Sequence, residues 1–296
     1  MPFATPPPLV DVKPTREVRT VAPVNEVAVD GGRAATLVGE AQEWEYLLVW
    51  SPKGVVVRAS LSCETQESNV VLAGNRFGHV CFQDANYVVT GTLRPLKARI
   101  ALRAAAGPQV ALAGSGTLIA GSAGRTVWRF DVRGKTRLRT YPSSVIVLSV
   151  DGGRVLVDRN ASTLDVLTSR GALFARLPRA HEGGALMRDR RIASISGRRL
   201  VVGNLAGRTI RTRTVAAGAH LEDVDGGLVV YSVETRLHLL RLSDGRDVRL
   251  RLRRQFGYAH ARVSNGALFY AYNQRSGRLG HAGFIDPAGV LGLLGR

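Results

Sequence analysis

The sequence predicts an all-β protein, folded as a seven-bladed β-propeller of four-stranded blades. Helical periodicity is absent along nearly the whole chain, while short apolar and β-branched runs alternate with Gly, Asp, Asn and Ser. A turn signal between two apolar runs recurs seven times, at steps of 36 to 43 residues. A second, glycine-based signal shares that period. A unit of roughly 40 residues holding four short strands has the size of a propeller blade. A solenoid of β-hairpins is the alternative, and the count of seven suits ring closure.

The first signal reads Asp30-Gly31-Gly32, Gly74-Asn75, Gly114-Ser115-Gly116, Asp151-Gly152-Gly153, Asp189-Arg190-Arg191, Asp225-Gly226-Gly227 and Ser264-Asn265-Gly266. Each stands where a tight hairpin turn would join two strands. First strands are accordingly expected near Val27, Val70, Val110, Val145, Ala185, Leu221 and Ala261. Runs such as Val55-Val56-Val57, Tyr87-Val88-Val89-Thr90 and Leu228-Val229-Val230-Tyr231 supply further strands. The second signal is a glycine closing the next hairpin, often ahead of a basic strand, at Gly54, Gly134, Gly171, Gly207, Gly245 and Gly289. The second unit lacks it, and Arg94-Pro95-Leu96-Lys97 stands in its place.

The chain ends carry the argument for closure. Arg16-Glu17-Val18-Arg19-Thr20-Val21-Ala22 is similar to the expected outer strands Arg208–Arg213 and Arg246–Arg251, so it is expected to pair with the last blade. That pairing would remove an exposed edge and tie the ring shut. Val290-Leu291-Gly292-Leu293-Leu294 competes for the same place, and one of the two is surplus. The domain reading is a Pro-rich tail over residues 1–15 and a single propeller domain over 16–296.

The 296 residues are 45% hydrophobic and 22% charged, which excludes global disorder and fits one large all-β domain. No run of 18 apolar residues occurs, so a transmembrane helix is excluded. Met1-Pro2-Phe3-Ala4-Thr5-Pro6-Pro7-Pro8 has neither a basic nor an apolar signal region. The cytoplasm is therefore the default compartment, with secretion expected if a leader has been removed. Cys63 and Cys81 lack the spacing of zinc or redox sites. Two inert thiols are expected, with a single disulfide as the alternative for an exported chain. The net charge of +18 implies attraction to polyanions such as nucleic acid, anionic lipid or acidic glycan. It comes from 37 arginines and only four lysines.

The repeats resemble those of WD-repeat-like seven-bladed β-propellers over nearly the whole chain. The Trp-Asp dipeptide of that group is absent, and Trp128-Arg129-Phe130-Asp131 is its nearest echo. The resemblance implies a rigid binding platform whose loops face partners around a central channel, and it leaves quinoprotein-like and lactonase-like propellers open.

Three histidines, His181, His220 and His260, fall just ahead of or at the start of consecutive first strands. Glu182, Glu222 and Asp223 accompany them, with Tyr258 nearby. In a propeller such positions converge near the axis, where three imidazoles could share a metal. Solvent-facing or hydrogen-bonded loop histidines are the expected reading, and no metal or cofactor is assigned. Ala120-Gly121-Ser122-Ala123-Gly124 has the outline of a nucleophile elbow, but no helix follows to complete one. None of the glycine turns carries a Gly-Lys-Ser/Thr ending, which argues against a phosphate cradle.

The basic residues are ordered. Arg137 and Arg139, Arg211 and Arg213, and Arg249, Arg251 and Arg253 repeat at period two, placing each set on one face of an outer strand. A guanidinium belt for phosphate or sulfate is one reading. Charge that keeps outer strands soluble is the favoured one, because aromatic platforms for single-stranded nucleic acid are scarce. Trp44, Trp50 and Trp128 are read as core or blade-packing residues.

The function expected is a non-enzymatic binding scaffold for a protein, glycan or other anionic partner, with His181, Glu182, His220, Glu222, Tyr258 and His260 as ligand-binding candidates. Arg211, Arg213, Arg249, Arg251 and Arg253 are the polyanion-binding candidates. The alternative is a propeller enzyme, a metal-dependent hydrolase or lactonase-like, with its site at the channel mouth. A protein or anionic glycan is the expected partner, nucleic acid the less favoured one, and a monomer the expected state.

Overall fold

The computed structural model describes residues 7–40, 43–63, 70–82, 85–104, 110–160, 162–274 and 278–295. Seven antiparallel sheets stand as blades around a central channel. Blade one comprises Ala28–Asp30, Arg33–Glu40, Glu43–Ser51 and Gly54–Cys63. Blade two comprises Val70–Ala73, Arg76–Phe82, Asn86–Leu93 and Leu96–Ala104, and blade three Val110–Ser115, Leu118–Ala123, Thr126–Asp131 and Gly134–Thr140. Blade four runs through Ile146–Asp151, Arg154–Asn160, Thr163–Thr168 and Leu173–Pro178, and blade five through Ala185–Arg188, Arg191–Ser196, Arg199–Asn204 and Thr209–Thr214. Blade six holds Ala219–Asp225, Leu228–Val233, Arg236–Arg241 and Asp247–Arg251, and blade seven Gln255–Ser264, Ala267–Gln274 and Gly280–Ile285. The seven first strands thus stand where the first turn signal places them.

Both turn signals have a steric reason. The first-to-second turns need left-handed backbone, as at Gly31 and Gly32 with φ of 58° and 71°, the pattern of a tight hairpin that follows strand twist. Asp189 and Arg190 adopt the same conformation, at φ of 50° and 59°, without glycine's freedom. The third-to-fourth turns pack on the outer strand of the preceding blade. A Cβ on Gly171 would stand 2.1 Å from the Leu138 carbonyl oxygen, so no side chain fits.

Arg16–Thr20 pairs antiparallel with Gly280–Ile285 as the fourth strand of blade seven, joining the N-terminal region to the last blade. The competing expectation, an outer strand at Val290–Leu294 after a hairpin glycine at Gly289, is corrected. That segment is the helix Pro287–Leu294. Asp286 caps it by accepting from the Gly289 N–H at 2.7 Å, and Pro287 supplies a preset first turn, so an Asp-Pro start outweighs the apolar run. Within the stretch expected as a tail, Leu9–Asp11 lies parallel to the outer strand of blade six as a fifth strand.

Seven clusters of buried apolar side chains fill the seven gaps between neighbouring blades. Strand alternation feeds two gaps at once. In blade six, Val229 and Tyr231 face blade five, while Leu228 and Val230 face blade seven. Trp50 belongs to the gap between blades seven and one. Trp128 is half-buried beneath the Lys135 ammonium, and the Trp44 side chain lies outside those described. Cys81 is buried and disulfide-bonded, which corrects the inert-thiol expectation for it; the Cys63 side chain lies outside those described.

Polar contacts add a second layer of blade-to-blade linkage. The Asp30 carboxylate accepts from Gly74 N–H at 2.6 Å and from Gly116 N–H at 2.9 Å, joining the turns of three blades. Asp225 accepts from Asn265 N–H at 2.5 Å. Ser122, inside the elbow-like segment, is buried in a strand and accepts from Val147 N–H at 3.0 Å, so its hydroxyl serves blade packing.

Candidate functional site at the channel mouth

In blades one to six the first-to-second and third-to-fourth turns lie at one end of the strands. At the other end of the strands the channel opens among charged groups from blades six, seven and one. Two irregular inner strands build the cluster. The ladder of Ala219–Asp225 slips between Leu221 and Asp223, leaving Glu222 as an extra residue. The ladder of Gln255–Ser264 slips between Phe256 and Ala259, leaving Gly257 and Tyr258 extra, with Gly257 at φ 67°. Bulges of this kind re-aim side chains that strict alternation would place elsewhere.

Glu222 is the hub. Its carboxylate accepts from the Ser232 hydroxyl at 2.9 Å and from Arg262 at 3.2 Å, with the His260 Nδ1 at 3.6 Å. Arg262 also donates to the Glu222 carbonyl oxygen. Burial pushes the Glu222 pKa up, but His260, Arg262 and Ser232 together outweigh it, and the group titrates below the usual carboxylate range. Glu26, on the approach to blade one, behaves oppositely. Burial raises its pKa, and the nearby Glu222 charge adds to this against the pull of Arg262 and His260. Deeper in the channel, Asp223 accepts from Val263 N–H at 3.0 Å and lies 3.4 Å from Arg188; burial raises its pKa. A cavity of about 180 Å³ on the axis is lined by Glu26, Arg188, Asp223 and Arg262 between apolar inner-strand walls.

The ligand-binding candidates separate into two groups. Glu222 and His260 meet directly, and His220 and Tyr258 lie on the same two inner strands, both exposed, Tyr258 to 68%. Phe256, beside the bulge, is 55% exposed. His181 goes elsewhere: it is buried, with Nδ1 2.8 Å from the Arg179 carbonyl oxygen and Nε2 3.2 Å from Asp158 of blade four. Glu182 is exposed, and a hydrogen bond from Ser196 pulls its pKa down. The arrangement of three histidines around one metal is thus not formed. Among the described residues no group of three or more His, Cys, Asp and Glu is placed to hold a metal ion.

Most of the polyanion-binding candidates are committed to the protein itself. Arg211 and Arg213 of blade five both donate to the Leu242 and Ser243 carbonyl oxygens in the turn of blade six. Arg16 of blade seven does the same for Lys53 of blade one at 2.5 Å, and Arg99 of blade two for Asp131 of blade three at 3.0 Å. Arg249 donates to the Pro7 carbonyl oxygen at 2.8 Å, and Arg251 lies 3.3 Å from Asp11. Arg253 is exposed on the connection between blades six and seven. Outer-strand arginines therefore cap turn carbonyls of the next blade, a role that suits a planar, multi-donor guanidinium.

Two further networks were missed in the sequence. Tyr231 and His238 stand opposite each other across a hairpin of blade six, stacked at 4.6 Å. Both reach Asp247 on the outer strand, the tyrosine by a hydroxyl hydrogen bond and His238 Nδ1 at 3.3 Å. Blade seven repeats this with Tyr272, His281 and Glu17, where Tyr272 donates at 3.1 Å and His281 Nδ1 lies at 3.0 Å. The available signal was a Tyr and a His at facing positions of two successive strands. Glu26, Arg188 and Arg262 were also missed, because only the ring brings them together.

No known protein-family profile matches the chain, and no curated protein matches it. Solved structures do. One chain in a crystal structure of the mitotic checkpoint complex superposes with a TM-score of 0.62 at 14% identity, over 96% of this chain and 95% of that one. Hsv2 of Kluyvelomyces marxianus gives 0.55 at 15% identity, over 85% and 89%. A KlHsv2 whose loop 6CD is replaced by a Gly-Ser linker gives 0.58 at 11% identity, over 89% and 98%. The likeness to WD-repeat-like propellers thus holds for architecture, and identities this low speak of fold alone.

Proposed function

We propose that the protein is a binding scaffold whose channel mouth, on blades six, seven and one, receives a protein partner. The observation that carries this is the pairing of two exposed aromatics, Phe256 and Tyr258, with the half-enclosed charged cluster of Glu222, His260, Arg262 and Glu26 beside them. Exposed aromatics next to oriented charges are what interface hot spots are made of. The cavity on the axis has room for one polar side chain, with Glu26 and Asp223 to accept hydrogen bonds and Arg262 and Arg188 to donate them. The neighbour found in the mitotic checkpoint complex, a protein assembly, supports a protein rather than a glycan as the ligand.

The test is site-specific photo-crosslinking in a lysate of the source organism, with benzoylphenylalanine placed at Tyr258 or, for comparison, at Ile210 on the outer strand of blade five. A discrete protein adduct formed from position 258 and not from 210 is the expected result. Equal labelling from both positions, or none from 258, overturns the reading.

A further inference from the structure

At the opposite end of the molecule, we infer that the third-to-fourth hairpins of blades one to five form a docking face for an anionic lipid bilayer. Three of the four lysines in the chain, Lys53, Lys97 and Lys135, occupy this hairpin in three successive blades, and all are exposed. Arg94, Arg133, Arg170 and Arg208 extend the set through blade five. Within these five turns and the residues beside them the single carboxylate is Asp131, which is engaged with the N–H groups of Arg133 and Gly134. Blades six and seven differ, since their corresponding segments carry Asp244, paired with Arg241, and the cap Asp286. The charge is therefore an arc with an orientation rather than a uniform coat.

Each hairpin in the arc also exposes a large apolar side chain. Val55, Leu96, Val132, Phe174 and Ile210, one per blade, are between 45% and 65% exposed. Between blades two and three the arc holds a cleft of about 280 Å³, lined by Arg76, Lys97, Arg99 and Asp131 together with Ala98 and Val132. Apolar tips interleaved with long cationic side chains match the boundary between headgroups and acyl chains, where the tips enter and the cations reach phosphates. In the cleft the Arg76 and Arg99 guanidiniums donate to the Phe130 and Asp131 carbonyl oxygens, and the exposed Lys97 ammonium is the group that reaches a phosphate-bearing headgroup. A nucleic acid would satisfy the cations but leave four aliphatic tips without a partner, and Phe174 is the sole aromatic among the five. This face lies at the other end of the strands from the channel mouth, and its assignment is independent of the scaffold reading.

The experiment is co-sedimentation of the full chain with vesicles of phosphatidylcholine, alone or with about 30% phosphatidylserine. Binding to the anionic vesicles alone, weakened as salt rises, is expected. Near such a surface each cation is worth about fivefold, so Lys53→Glu with Lys97→Glu and Lys135→Glu should lower partitioning at least 100-fold. Val132→Ser is expected to weaken binding while leaving the salt dependence nearly unchanged, because it removes an apolar tip without changing charge. Thermal melts confirm folding of the variants, and the salt series on the wild-type chain needs no variant at all. Equal binding to neutral vesicles, no binding to anionic ones, an unaffected folded triple variant, or displacement of the vesicles by duplex DNA of equal phosphate content would overturn the inference.

Discussion

Asp30 offers the sharpest test of how the ring is held together. Its two carboxylate oxygens accept from turn N–H groups of the next two blades at 2.6 and 2.9 Å, and the side chain is 8% exposed. Asp30→Ala leaves two part-buried turn N–H groups without their acceptor. A hydrogen bond to a charged group contributes about 1.5–3 kcal/mol, and losing one partner strands the other. Partial exposure of the site trims the sum, so the expected cost is about 3–5 kcal/mol. Asp30→Asn keeps one acceptor oxygen in place and should cost about 1–2 kcal/mol, a graded series. Urea unfolding followed by both tryptophan fluorescence and circular dichroism reads these values, with coincidence of the two curves checking that the blades unfold together. An Asp30→Ala protein within 0.5 kcal/mol of wild type, or an Asn variant as damaged as the Ala variant, would refute the three-blade linkage.

Three further outcomes follow from the same contacts. His79 is buried and stacked on Phe77 with centroids 6.4 Å apart, and burial lowers its pKa from 6.5 to about 4. The unfolded chain then binds a proton that the folded chain refuses, so stability is full above pH 6.5 and drops by about 3 kcal/mol as pH falls toward 4. His79→Leu should flatten that part of the pH profile, and parallel profiles for the two proteins would count against it. Arg190→Gly relieves the left-handed backbone at φ 59° and should raise stability by about 1 kcal/mol in thermal or urea unfolding. Glu17→Ala removes the partner of both Tyr272 and His281 and should cost about 2–4 kcal/mol, detected as faster exchange of the amides in Gly280–Ile285.

What was legible in the sequence is what is local. The Asp30-Gly31-Gly32 turn and its six counterparts need only their own backbone conformation, so the seven blades could be counted and their inner strands placed. Closure by Arg16–Thr20 was readable because that segment has the pattern of an outer strand. The helix at Pro287–Leu294 was misread because its apolar run says strand while its cap, Asp286 with Pro287, says helix, and the cap prevails. The site was legible in part. Glu222 and His260 were singled out and do meet, at 3.6 Å, whereas His181 was grouped with them by sequence spacing and is drawn instead to Asp158. Spacing along the chain says which blade a residue belongs to and nothing about a local bulge, and it is the bulges at Glu222 and at Gly257 and Tyr258 that aim the cluster. The arginine pattern was seen, but its purpose depends on carbonyl groups of the neighbouring blade, which no single repeat contains.

The claim at the centre of this account is that the mouth of the channel at blades six and seven is a binding surface. Titration calorimetry with the protein crosslinked at position 258 tests it directly, comparing the wild-type chain with the Phe256→Ala/Tyr258→Ala double variant. Truncating two hot-spot aromatics should weaken the dissociation constant at least tenfold, with folding unchanged because both side chains are more than half exposed. Equal affinity of the two proteins would contradict the claim.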